Sequence, residues 1–316
     1  MSKNPEVISI NISQEKGTAK TAVPQAIVGE TGIAGDAHAG RWHRQVSLLP
    51  VESIDRFNAS HGTAFGPGEF AENVTTRGVD LAAAAILDRL DIGEASLEVT
   101  QIGKECHGGG CTVFQRVGQC VMPKEGIFCR VVRGGTIRPG DRVAHHRRML
   151  RFHVVTLSDR AAAGEYADRS GPAIREALDK FCRGRNWRAE FASAVLPDDA
   201  GQLRQALLAA RDGGADAVFT TGGTGVGPRD VTPETAASVC EKLIPGIMEH
   251  IRLKYAAASP NSLLSRGIAG VAGTTQIYTL PGSPRAVGQY MDEILKTFEH
   301  LVFMVRGIDA HGSVHA

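Results

Sequence analysis

The spacing of apolar residues changes character near residue 148. Before it, short apolar runs at Val7 to Ile12, Val46 to Leu49, Leu97 to Ile102 and Gly126 to Val132 are broken by glycine. The turn Arg138-Pro139-Gly140-Asp141 closes the stretch. Short runs between turn signals predict strands, so residues 1–148 are expected to form a β-rich, barrel-like domain with few helices. Residues 149–316 read differently, as strand, loop and amphipathic helix repeated. The run Phe152 to Leu157 predicts a buried strand, and Ile174, Leu178 and Phe181 then recur at helical spacing. A second unit runs from Ala192 to Leu196 into Leu203, Leu207 and Ala210, with Asp199 and Gln202 spaced as a capping box. A third runs from Ala217 to Phe219 through a glycine loop to Thr232-Pro233, spaced as an N-cap and a first-turn proline. The last places Gln276 to Leu280 before a Pro281-Gly282-Ser283-Pro284 turn and a helix carrying Val287, Met291, Ile294 and Phe298 on one face. Alternating strands and helices predict an α/β three-layer domain around a mostly parallel sheet.

Composition adds bounds. A chain of 316 residues with 42% hydrophobic content has room for two cores. The 35 basic and 34 acidic residues nearly cancel without long like-charge runs, which argues against a nucleic-acid surface or a polybasic membrane tail. The cluster His145-His146-Arg147-Arg148 reads as a linker. No apolar stretch is long enough for a membrane span and the N-terminus does not read as a secretory signal, so a cytoplasmic protein is expected. Six cysteines are too sparse for a disulfide framework, although Cys106, Cys111, Cys120 and Cys129 crowd one stretch.

In a parallel sheet, ligands bind beyond the carboxyl ends of the strands. Ser158-Asp159-Arg160, Pro197-Asp198-Asp199, Thr220 to Asp230 and Pro281 to Pro284 all follow predicted strands there. In the loop Thr220-Thr221-Gly222-Gly223-Thr224-Gly225, glycines let backbone N–H groups approach an anion, and the threonine hydroxyls are candidate donors. A tight strand-to-helix turn would use the same glycines. The loop has neither the lysine of a P-loop nor the G-x-G-x-x-G dinucleotide pattern. Asp198 and Asp230 suit Mg²⁺, which takes one or two carboxylates and completes its shell with water and phosphate oxygens. Arg229 and Arg266 are candidates to neutralise phosphate charge.

Taken together, Thr156 to Arg160, Leu196-Pro197-Asp198, Thr220 to Gly225 with Arg229 to Glu234, Leu264-Ser265-Arg266 and Leu280 to Pro284 resemble the molybdopterin adenylyltransferase family of the MogA/MoaB type. The resemblance implies adenylylation of molybdopterin with ATP and Mg²⁺, and a trimer formed through this domain. It places Asp198 and Asp230 as catalytic, metal-holding acids. It also implies nucleotide or pterin binding by Ser158, Asp159, Arg160, Thr221, Gly222, Gly223, Thr224, Gly225, Ser265, Arg266, Pro281, Gly282 and Ser283.

In the first half, Gly35-Asp36-x-His38-x-Gly40, Arg44 to Ser47, Gly68 to Asn73, Gly126 to Val131 and the loop Gly103 to Cys111 resemble the MOSC domain, named after the C-terminal part of molybdenum cofactor sulfurases. Lys104 and His107 beside the thiols favour a thiolate. A zinc site is the alternative, but Cys120 and Cys129 sit among apolar residues and the short paired spacing is absent. The resemblance implies that Cys111, with Cys106, His38 and Arg44, handles molybdenum cofactor or sulfur. No pyridoxal-phosphate desulfurase segment is legible upstream, so the source of any sulfur is not encoded in these residues. The combined expectation is a bifunctional molybdenum cofactor protein that works with other proteins of that cofactor. A non-catalytic cofactor carrier and a nucleotide pyrophosphatase on the related fold are the rivals.

Overall fold

The computed structural model describes residues 4–104 and 112–308. These fall into two compact units, divided between Arg148 and Met149. Among the described residues no helix is long and apolar enough to cross a membrane.

The first unit contains β1 (Glu6–Ile12), β2 (Thr21–Val23), β3 (Ala26–Gly29), β4 (Gly32–Ile33), β5 (Val46–Pro50), α1 (Val51–His61), β6 (Val74–Arg77), β7 (Arg89–Ile92), β8 (Ala95–Ile102), α2 (Thr112–Val117), α3 (Met122–Glu125), β9 (Ile127–Arg133), β10 (Gly135–Ile137) and β11 (Val143–His146). Eight strands run in the order β11-β7-β8-β9-β5-β6-β1-β2, and β10-β3-β4 make a smaller sheet. Alternate residues such as Val46 and Leu48, Leu90 and Ile92, and Leu97 and Val99 point to one core. The opposite face of β5 gives Leu49 to a second cluster with Phe57 of α1, Phe70 and Met122. This helix of 11 residues has no counterpart in the sequence reading.

Two expectations are sharpened here. The first unit is sheet-rich, and among the described residues its eight-stranded ladder runs from β11 to β2 without closing, while a bridge from Glu6 to Arg142 and backbone hydrogen bonds of Val7 and Val143 bring the start of β1 beside β11. His145 and His146 are strand residues, with His145 Nε2 2.7 Å from Asp88 Oδ2, so of the basic cluster only Arg147 and Arg148 lie between the last strand of this unit and the boundary.

The second unit contains β12 (Met149–Leu157), α4 (Asp159–Ala162), α5 (Ser170–Arg183), β13 (Arg188–Leu196), α6 (Ala200–Asp212), β14 (Ala217–Thr221), α7 (Thr232–Ala237), β15 (Lys242–Leu243), α8 (Pro245–Ala256), β16 (Ala269–Ala272), β17 (Thr275–Leu280) and α9 (Pro284–Val305). Its six-stranded sheet, in the order β13-β12-β14-β17-β16-β15, is mixed. The first four strands are parallel, whereas β16 pairs antiparallel with β17 and β15 antiparallel with β16. Val155, Leu157, Val218 and Ile277 face Leu203, Leu207 and Ala236 of the helices α6 and α7. On the other face Phe152, Phe219 and Tyr278 pack on Phe298 of α9, which also meets Phe181 of α5. Each such buried side chain contributes roughly 1.5–3 kcal/mol, so helix burial on both faces holds the sheet rigid beneath its loops.

Candidate functional site

The four parallel strands end level with one another: Leu157 pairs with Leu196, Thr156 with Thr221, and Thr221 with Leu280. The loops leaving these ends enclose a cleft of about 550 Å³ whose walls include Ser158, Asp198, Thr221, Gly223, Asp230 and Gly282. Helices α4, α6, α7 and α9 begin just beyond the same strand ends, which aims their N-terminal N–H groups at this end of the sheet.

The glycine loop is built from close contacts. Gly222 and Gly223 have φ of 101° and 60°, the left-handed region that side chains resist. A Cβ on Gly222 would also overlap the Leu157 carbonyl oxygen, because the loop crosses directly over the end of β12. Thr232 Oγ1 donates to the Gly222 carbonyl at 2.9 Å and Thr232 N–H to that of Gly223 at 3.1 Å. Thr232 is therefore the first residue of α7 and Val231 occupies the cap, which corrects the expected N-cap. The threonine hydroxyls are also committed or hidden: Thr221 Oγ1 donates to the Pro281 carbonyl at 2.7 Å, and Thr220 is fully buried.

The two acids keep one oxygen each in reserve. Asp230 Oδ2 accepts from Gly227 N–H at 2.7 Å, and Asp198 Oδ2 accepts from Asp159 N–H at 3.2 Å. Among the described residues neither Oδ1 takes a hydrogen bond. Arg229 Nη2 lies 2.7 and 2.6 Å from the two Asp159 oxygens and 3.4 Å from the Asp198 carbonyl.

Other expected binding residues support the cleft rather than line it. Ser265 Oγ accepts from the Tyr290 hydroxyl at 3.0 Å. Ser283 caps α9 by accepting from Ala286 N–H. Arg160 pairs with Glu165 at 3.2 Å. Arg266 points its guanidinium at the back of the glycine loop, where Nε donates to the Gly225 carbonyl at 2.6 Å and Nη2 to that of Asp230 at 2.8 Å, while Nη1 reaches Glu234.

In the first unit, Asp36 accepts from the N–H groups of Ser13 at 3.1 Å and His38 at 3.0 Å, and it pairs with the fully buried Lys20. Lys20 Nζ is also 3.2 Å from His38 Nδ1. Burial pulls the Lys20 ammonium below its usual range although Asp36 opposes the fall. Burial works against the Asp36 carboxylate too, but hydrogen bonds from His38 and Lys20 hold it well below the usual carboxylate range. The Trp42 indole stacks with His38, and the Arg44 guanidinium lies 4.9 Å from its ring centre. Cys106, His107 and Cys111 lie outside the described residues. Cys129 is a buried core residue whose thiol burial pushes up in pKa, which suits a small hydrophobe.

Residues 35–144 match the model of the MOSC domain, and residues 153–300 match that of a probable molybdopterin binding domain. The molybdopterin adenylyltransferase of Helicobacter pylori strain J99 is 34% identical over 159 residues, which is 50% of this chain and 89% of that protein. The second half of the chain belongs to the molybdopterin adenylyltransferase family. The Escherichia coli K12 molybdopterin adenylyltransferase is 32% identical over 146 residues, covering 46% of this chain and 73% of that protein. A molybdenum cofactor biosynthesis bifunctional protein of Synechococcus elongatus is 33% identical over 166 residues, 51% of this chain and 49% of that protein. The solved structure of the molybdopterin biosynthesis enzyme MoaB from Thermus thermophilus is 36% identical, covers 50% of this chain and 98% of that chain, and has a TM-score of 0.46.

Within this molybdopterin adenylyltransferase half, the sequence reading missed a wall of the cleft formed by Thr156, Asp168, Ser170 and Tyr166. Thr156 Oγ1 donates to Asp168 Oδ2 at 2.7 Å, and Asp168 Oδ1 accepts from Ser170 N–H at 2.9 Å and Gly171 N–H at 3.1 Å. Ser170 Oγ then donates to the Gly282 carbonyl at 2.7 Å, tying the start of α5 to the last turn. An aspartate just before a helical run was the available signal. Tyr166, whose hydroxyl is 2.9 Å from Ser158 Oγ, carried none.

Proposed function

We propose that the second half transfers the adenylyl group of ATP to the terminal phosphate of molybdopterin and releases pyrophosphate. The observation that supports this most directly is the cleft, where two carboxylates with an uncommitted oxygen stand beside a glycine loop over helix N-termini. An oxygen of the molybdopterin phosphate attacks the α-phosphorus of ATP, and the bond from that phosphorus to the β-phosphate oxygen breaks. The attacking group is already ionised, so no protein nucleophile is required. Positioning and charge stabilisation carry the acceleration. The donor set fits Mg²⁺, with Asp198 and Asp230 as its protein ligands; the ion would offset charge on the phosphates. Loop N–H groups hold phosphate oxygens, and Arg229, positioned by Asp159, adds positive charge at the rim. The same reading includes a trimer formed through this half, which light scattering can check, and a cytoplasmic setting.

The first unit, residues 1–148, binds, carries or sulfurates the cofactor in this reading, with Cys111 or Cys106 as the reacting thiol and His38 and Arg44 as further residues of that function. Linkage of two units to one ligand raises its effective concentration at the second. The deciding experiment incubates the full chain with ATP, Mg²⁺ and molybdopterin and follows the adenylate and pyrophosphate. Asp230→Asn should abolish turnover while pterin still binds. Undiminished turnover in that variant would assign the chemistry elsewhere, and binding without turnover in the unsubstituted chain would make the protein a carrier.

A further inference from the structure

Arg266 has all its donors turned to the glycine loop and the helix that follows it. Its backbone N–H donates to the Thr224 carbonyl at 2.9 Å, Nε to the Gly225 carbonyl at 2.6 Å, Nη2 to the Asp230 carbonyl at 2.8 Å, and Nη1 meets the Glu234 carboxylate. In a trans peptide the C=O and the following N–H point in opposite directions. Fixing the oxygens of Thr224, Gly225 and Asp230 therefore turns the N–H groups of Gly225, Val226 and Val231 away from Arg266. Among the described residues the N–H groups of Gly223, Thr224, Gly225 and Val226 have no protein acceptor. A run of unpaired donors, with the N–H of Gly225 turned by the Arg266 backbone and that of Val226 by its side chain, is the arrangement an anion site needs. Gly225 also lies against the Asp230 carboxylate, where an added Cβ would come 2.8 Å from Oδ2, so the pinned loop fixes that acid as well.

We propose that Arg266 is a positioning residue that does not touch the nucleotide: it pins the loop carbonyls from behind so that the opposite N–H groups meet the phosphates. The sequence reading had Arg266 binding phosphate directly, and the two roles differ in what a lysine can replace. Lysine keeps the charge but offers a compact ammonium in place of a planar fork, so it cannot hold two carbonyls and a carboxylate in one geometry.

The inference rests on the proposed ATP reaction for one of its two readouts. Full-length chains carrying Arg266→Lys, Arg266→Ala or neither are compared by titration with MgATP and by amide hydrogen exchange. Positioning predicts that lysine and alanine weaken MgATP binding alike, by roughly tenfold or more, and that exchange rises in residues 222–231 while β14 and β17 keep their protection. A lysine variant that binds MgATP within about twofold of the unsubstituted chain, beside a weakened alanine variant, would mean direct charge contact and overturn the proposal. Unchanged exchange over 222–231 in both variants would overturn it too. If alanine prevents folding, the lysine variant alone decides through the same two measurements. Absence of MgATP binding in the unsubstituted chain would count against the proposed function, and the exchange comparison would still decide the role of Arg266.

Discussion

Asp159 and Asp198 each donate a backbone N–H to the other's carboxylate, at 3.0 Å to Asp159 Oδ1 and 3.2 Å to Asp198 Oδ2. The loops after β12 and β13 thus cap one another, and Arg229 closes the arrangement by gripping both Asp159 oxygens. Asp159→Ala removes an acceptor and the partner of Arg229. It should cost about 1–2 kcal/mol in urea unfolding, since a lost charged hydrogen bond at a half-exposed site is worth about that. It should also raise the KM for ATP. An unaltered KM would mean that the pair is structural only.

Gly222 and Gly225 should fail in different ways when changed to alanine. At Gly222 the new methyl meets backbone at a positive φ, so a loss of about 2–4 kcal/mol and a lowered Tm are expected. At Gly225, whose φ is not positive, the methyl meets the Asp230 side chain. Stability should then change little while turnover falls at least tenfold, as the acid is displaced. Calorimetry beside the adenylylation assay separates the two. Equal losses of stability would show that the loop behaves only as a turn.

Lys20→Met leaves Asp36 buried without its ammonium partner. A loss of about 3–5 kcal/mol is expected, and adding Asp36→Asn should restore part of it because the stranded charge is gone. Chemical denaturation of the two variants measures this. If the losses simply add, the two side chains are not coupled as the geometry indicates.

Glu293 joins α8 to α9 by accepting from Lys254 Nζ at 2.6 Å, Lys296 Nζ at 2.7 Å and His250 Nε2 at 3.0 Å. Hydrogen bonds from Lys254 and then Lys296 lower its pKa to about 2 from the ordinary 4.5. A carboxylate held below its unfolded value stabilises the fold above that value. This contribution should therefore be full above pH 4.5 and fade as pH falls towards 2. Glu293→Gln should cost about 1–3 kcal/mol at pH 7 and progressively less below pH 4.5. A difference that stays constant down to pH 2 would exclude the linkage.

The sulfur reading of the first unit has its own test. After incubation with a persulfide that donates its outer sulfur and leaves as a thiol, mass spectrometry should find a persulfide on the chain that Cys111→Ser or Cys106→Ser removes. Retention of the modification in both variants would discard these thiols.

The second unit was largely legible because a buried parallel strand and an amphipathic helix leave opposite signatures. Phe152 to Leu157 is a short, mainly apolar run, whereas Leu203, Leu207 and Ala210 recur at helical spacing, and both kinds became elements. β15 and β16 were missed because two and four residues are too few to show a period. Their antiparallel pairing makes the sheet mixed. In the first unit, α1 escaped because its apolar face is narrow, with only Ile54 and Phe57 as buried apolar residues. At the site, Asp198, Asp230 and the glycine loop were readable from their place after strands. Arg266 was read as facing phosphate because sequence order cannot say on which side of a loop a side chain lies. Lys20 gave no signal, since a lysine's burial depends on partners 16 and 18 positions away.

The level ends of β12, β13, β14 and β17 tie the chemistry to assembly of the sheet. Successive residues of a strand face opposite ways, so a slip of β14 by one position would exchange the faces of Thr220 and Thr221 and break the Thr221 bond to the Pro281 carbonyl. Gly222 would then lose its crossing over Leu157 and its bond to the Leu280 carbonyl. A misregistered chain would keep nearly all of its helical content yet lack the loop proposed to hold phosphate. Nucleotide binding is accordingly a stricter assay of correct folding in this half than circular dichroism, and its recovery on refolding should trail the return of secondary structure.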